Sequence, residues 1–153
     1  MKKNIIILML STAIFGTASA QQLTLKTYME KTHIGIKTGT SVGMTNQFGW
    51  EYGGFFQEAS LMESLTMSDE QLRNLPRTYE RNFYGLYLGI PVMERSLMNI
   101  KVQLRTGVQN GENFVITPSL LGNFTPHKSI GFGLGVGMRM FKPTLQGSFS
   151  ITL

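Results

Sequence analysis

The side chains that could do chemistry in this 153-residue sequence are few and scattered. Cys is absent, which excludes a thiolate nucleophile, a thiolate metal site and a disulfide framework. His33 and His127 are the two histidines, and Asp69 is the single Asp. Hydrolysis by a nucleophile, base and acid needs those groups within reach of one another. A metal centre needs converging ligands. The topology derived below puts His33 and His127 at opposite ends of the fold, so no catalytic residue, metal site or cofactor is expected. A lipid-modifying activity built on His33 is the one enzymatic reading left, and it predicts that replacing His33 abolishes activity while the fold survives.

A second set of side chains is more regular. Lys37, Glu51, Lys101, Arg105 and Arg139 all fall at positions that alternate with apolar residues. They are expected to share one interior face as a lumen charge network. They could line an anion-attracting path, or they could form a buried network bridged by Glu51. Unpaired buried charge is expensive, and an eight-stranded barrel has room only for side chains. The network is therefore the expected reading.

The elements that must position these charges are strands, because a period of two runs along most of the chain. From Thr32 to Met44 the even positions are apolar or Thr, while Lys37 and glycines occupy the odd ones. Phe48, Trp50, Tyr52 and Phe56 alternate with Gln47, Gly49, Glu51 and Gly53. The split returns in segments 81–92, 98–109, 113–124, 129–140 and 144–153, with a parity flip across a turn at Phe141-Lys142. A weaker stretch from Leu23 to Met29 supplies an eighth strand. Asn110-Gly111 is a hairpin dipeptide. No helix-period segment separates the strands, so the pattern is an antiparallel meander and not an α/β fold.

Composition decides which face points outward. Charged residues are 15% of the chain, where soluble domains average about 25%. Gly is abundant at 17 residues and lies mostly on the non-apolar face. A Gly-lined surface weakens strands without solubilising them, whereas inside a narrow barrel Gly leaves room for long side chains. The opposite face carries large apolar groups suited to lipid, with Phe48, Trp50, Tyr52 and Tyr84 as interfacial aromatics. Segments of 9 residues and more match the roughly 9–11 that cross a bilayer at a tilt. The expected fold is all-β: an antiparallel up-and-down transmembrane β-barrel of eight strands. A closed barrel leaves no unpaired edge in hydrocarbon.

Residues 1–20 read as a signal peptide: Lys2 and Lys3, an apolar run from Ile5 to Phe15, and Ala18-Ser19-Ala20 as the cleavage site. Removing them takes away two cations and no acid, so the formal charge falls from +5 to +3. That excess suggests no nucleic acid partner. Residues 21–153 form the barrel domain. With the C-terminus on the periplasmic side, the long connection 59–80 faces outward. It has the only helical grammar, Ser68 followed by Gln71 as a capping box and a short helix over Asp69 to Leu75 before Pro76. Leu61, Met62, Leu65, Met67, Leu72 and Leu75 make it unusually apolar for a solvated loop. They either cap the barrel mouth or dock a protein partner.

The runs FYGLYLGIPV, NGENFVITPSLL and GVGMRMFKPTLQGSFSITL resemble the outer-membrane β-barrel proteins of Bacteroidota. The pattern over residues 31–153 is also similar to small eight-stranded barrels of the outer-membrane protein X and A type. The resemblance implies the same fold, an outer-membrane location and contact with outer-membrane lipid, and it carries no catalytic motif. The expected role is non-enzymatic, structural or scaffolding. The rival is a soluble periplasmic lipocalin-like carrier, in which the same apolar face would line a cavity around Trp50, Tyr52 and Tyr84.

Overall fold

Side chains alternate across a strand, so a sequence that puts bulk on every second residue and Gly or polar groups between builds a sheet with two unlike faces. The computed structural model, which describes residues 22–33, 35–59 and 82–153, shows that sheet closed on itself. Its strands are β1 (Gln22–Lys31), β2 (Ile36–Thr45), β3 (Glu51–Ala59), β4 (Asn82–Glu94), β5 (Met98–Gln109), β6 (Asn113–His127), β7 (Ile130–Arg139) and β8 (Lys142–Thr152). Each pairs antiparallel with its sequence neighbour, and β1 pairs with β8 from Thr24↔Thr152 to Lys31↔Leu145. The eight strands form one barrel with no free edge.

The faces are those of a barrel turned inside out relative to a water-soluble one. Leu86, Phe114 and Leu134 point outward and are 69%, 69% and 73% exposed. Inside lie Tyr28, Phe55, Phe83, Tyr87, Val115 and Leu121, mixed with buried Lys, Arg, Glu and Gln. Trp50 and Tyr84 stand exposed on the outer side, and Tyr52 shares the outward parity of its cross-strand neighbours Met44 and Leu88. The lipocalin-like arrangement needs those aromatics around a cavity, so the direction of the apolar face overturns it.

Turn chemistry is local. Asn46 Oδ1 accepts hydrogen bonds from the amides of Phe48 and Trp50 at 2.9 and 3.0 Å, which closes the β2–β3 connection. Asn110 and Gly111 take left-handed φ values of 55° and 76° between β5 and β6. Met140 and Phe141 do the same at 48° and 63°, forming a two-residue turn between the paired Arg139 and Lys142. Primed hairpin turns need positive φ at both central residues, and here two bulky side chains accept it. Glycine matters most where strands press together. A Cβ on Gly85 would meet the Thr106 carbonyl and lie 2.5 Å from the Cα of its partner Gly107.

Several expectations need correction. The segment from Thr32 is not one strand: β1 ends at Lys31, β2 begins at Ile36, and between them Thr32 N and Oγ1 both donate to the Gly35 carbonyl. Thr32 is accordingly buried rather than outward, and Gly35 takes a positive φ in the turn instead of lining the lumen. The weak opening stretch is in fact a full ten-residue strand. Phe48 lies in the β2–β3 turn and Trp50 just before β3, not on the strand wall. The last hairpin turns at Met140-Phe141, one residue earlier than expected. The short helix and the six apolar residues of segment 59–80 lie outside the described residues, as does the signal peptide.

Candidate functional site: the barrel lumen

The lumen holds two ionic layers. The first centres on Glu30, a fully buried residue of β1. Arg105 Nη2 donates to its Oε1 at 2.8 Å, Gln57 Nε2 donates to Oε2 at 2.9 Å, and Arg139 Nη2 donates to Oε2 as well. Arg139 Nη2 also reaches Gln57 Oε1 at 2.8 Å. Aromatic faces cover the two guanidinium groups. Arg139 lies 4.6 Å from the Phe83 ring centre, and Arg105 lies 5.2 and 5.8 Å from those of Tyr28 and Phe55. Phe55 and Phe83 meet edge to face at 4.7 Å. Planar guanidinium is suited to this double duty of carboxylate pairing and ring stacking.

The second layer centres on Glu51 of β3. Lys26 Nζ donates to Oε1 at 3.0 Å, Tyr87 Oη donates to the same oxygen at 2.9 Å, and Lys101 Nζ donates to Oε2 at 3.2 Å. This layer is nearer the end at which β1 begins and β8 finishes, the terminal end of the barrel. Lys101 keeps 14% of its side chain exposed, while Arg105 in the first layer keeps 2%. Beyond the Glu51 layer the lumen widens into a polar cup of about 700 Å³ that opens at the terminal end.

All five sequence-predicted charges lie on the inner face, but they do not form a single network. Glu51 meets Lys101; Arg105 and Arg139 meet Glu30 instead; Lys37 is buried directly across the β1–β2 ladder from Glu30. The expectation of one network bridged by Glu51 is therefore corrected: Glu30 is a second interior acid. Glu30 and Lys26 both come from β1, and the signal was present: Thr24, Lys26, Tyr28, Glu30 and Thr32 keep one parity. Stopping the weak strand at Met29 hid Glu30. Tyr87 and Gln57 carry no charge and gave no hint that they would join the ionic layers.

The described residues contain no group of three or more His, Cys, Asp or Glu that could hold a metal ion. His33 lies in the β1–β2 turn, and His127 closes β6 at the opposite end.

No protein-family model matches the sequence, and no characterised protein does. By shape the chain is similar to a structure from the de novo design of transmembrane β-barrels, with a TM-score of 0.66 and 6% identity, covering 86% of this chain and 95% of that one. It also matches the crystal structure of Neisserial surface protein A (TM-score 0.40, 9% identity, 87% of this chain and 94% of that one). A further match is Ail, the attachment invasion locus protein of Yersinia pestis, in complex with the heparin analogue sucrose octasulfate (TM-score 0.37, 9% identity, 86% and 93%). At these identities the likeness is one of fold. The class is clear: a closed, eight-stranded, antiparallel transmembrane β-barrel.

Proposed function

We propose that the protein is a small outer-membrane barrel with no reaction of its own, of the kind its sequence resembles in Bacteroidota. Its part is structural, or that of a scaffold offering segment 59–80 to a protein partner. The observation that carries this reading is the pairing of an apolar outer wall with an interior filled by its own ion pairs. An apolar wall suits lipid and not water. The Glu30 layer, packed between arginines and aromatic rings, blocks solute passage through so narrow a barrel. The leader-like residues 1–20, cleaved near Ala20, support export, and the apolar side chains of Leu61, Met62, Leu65, Met67, Leu72 and Leu75 support a docking role.

The test is the gel mobility of the protein from isolated outer membranes, unheated and boiled in SDS. A lipid-facing closed barrel should resist cold SDS and shift on boiling, and crosslinkers placed within 59–80 should then capture a defined partner. Recovery in the soluble periplasm with no shift would sink the membrane reading. A shift without any defined crosslink would remove the scaffold role and leave the structural one.

A further inference from the structure

The terminal end of the lumen is lined like a receptor. Residues of every strand except β7 contribute to the wall of the 700 Å³ cup, so it lies on the barrel axis and the strands separate it from the lipid-facing side. Its floor is the Glu51 layer, where two ammonium groups meet one carboxylate and leave one net positive charge. An ammonium group has three donors. Lys26 and Lys101 each give one to Glu51. On the wall, Asn123 Nδ2 donates to Asn99 Oδ1 at 2.9 Å, which leaves the Asn99 amide nitrogen as a further donor. The Thr24 and Thr152 hydroxyls line the same wall, and the charges of Lys128 and Glu94 offset each other at the mouth.

Low-dielectric walls focus the field of such a floor. Hydrogen bonds from ammonium to an oxyanion are about twice as strong as neutral ones. Beyond the floor the Glu30 layer closes the lumen, so a solute entering the cup has one way out. These are the properties of a binding pocket and not of a channel.

We propose that the cup is a binding site for a small water-soluble molecule bearing a phosphate or carboxylate group, which docks on Lys101 and Lys26 with Asn99 as a third donor. The inference rests on the barrel interior alone and does not depend on which membrane holds it or on any partner of segment 59–80.

The test is calorimetric titration of the full folded chain, in neutral detergent micelles at low ionic strength, with inorganic pyrophosphate as probe. One saturable site per barrel is expected. Asn99→Asp sets a carboxylate on the wall without removing either Glu51 ion pair, and should weaken binding at least about tenfold. Lys101→Met should weaken it as much, and Lys142→Gln, beyond the Glu30 layer at the far end, should leave it unchanged. The boiled and unheated gel forms report whether each variant is folded. The proposal is overturned if pyrophosphate fails to bind by about 10 mM, or if folded Asn99→Asp binds it as well as the parent. It is equally overturned if dodecyl phosphate in the micelle binds the cup while pyrophosphate does not, because the ligand would then be a lipid headgroup.

Discussion

The two ionic layers of the lumen use the same carboxylate in opposite ways. Glu30 is enclosed by two arginines and an amide, each guanidinium lying over an aromatic ring, and nothing in that layer is left to water. Glu51 is held by two lysines and a tyrosine hydroxyl, and its layer forms the floor of an open cup. Arginine pairs and stacks through a rigid plane; lysine carries a compact, strongly hydrated charge on a flexible stem. One layer is therefore a plug, and the other is a surface with donors to spare. A barrel of this width can be closed at one level and receptive at another.

The sharpest way to break that contrast is to remove the acid from each layer in turn. Glu30→Gln leaves two buried guanidinium groups facing a neutral amide, and breaking a buried pair in this way costs about 3–5 kcal/mol. Denaturant unfolding in micelles, followed by the fluorescence of Trp50, the single Trp, should show the midpoint fall accordingly. An unchanged midpoint would mean that Glu30 does not anchor the plug. Glu51→Gln should cost less, about 1–3 kcal/mol, because Lys101 already has access to cup water. If the two variants are equally destabilised, the distinction between closed and open layers fails. Arg105→Lys keeps the charge of the plug and removes the planar fork and its ring contacts. A loss of about 1 kcal/mol, the worth of a hydrogen bond or a cation–π contact, is expected in the same assay. No loss would show that charge alone holds that layer together.

The outer wall and the strands were far more legible in the sequence than the interior contacts. Alternation in segments such as Ile130 to Met138 is a local property, readable from neighbours two residues apart, and it assigned the faces of β4 through β8 without any knowledge of the barrel. It failed where the signal was diluted. Thr27 and Lys31 stand on the outward face of β1 among Leu25 and Met29 and interrupt its apolar row, so its length was underread, and Thr32 was absorbed into a neighbouring strand. The alternation was also carried through Phe48 and Trp50, where the chain is a turn fixed by the Asn46 side chain and Phe48 lines the cup.

By itself, then, the sequence determined that this chain makes antiparallel strands with one apolar and one polar face, because side-chain direction depends only on the period of the backbone. Which charge meets which was decided by closure. Glu30 reaches Arg105 and Arg139 across separations of 75 and 109 residues. Those contacts exist because the first strand pairs with the last and carries its acid into a space bounded by all the others. Local period cannot encode a distance across the lumen; only the closed sheet sets it.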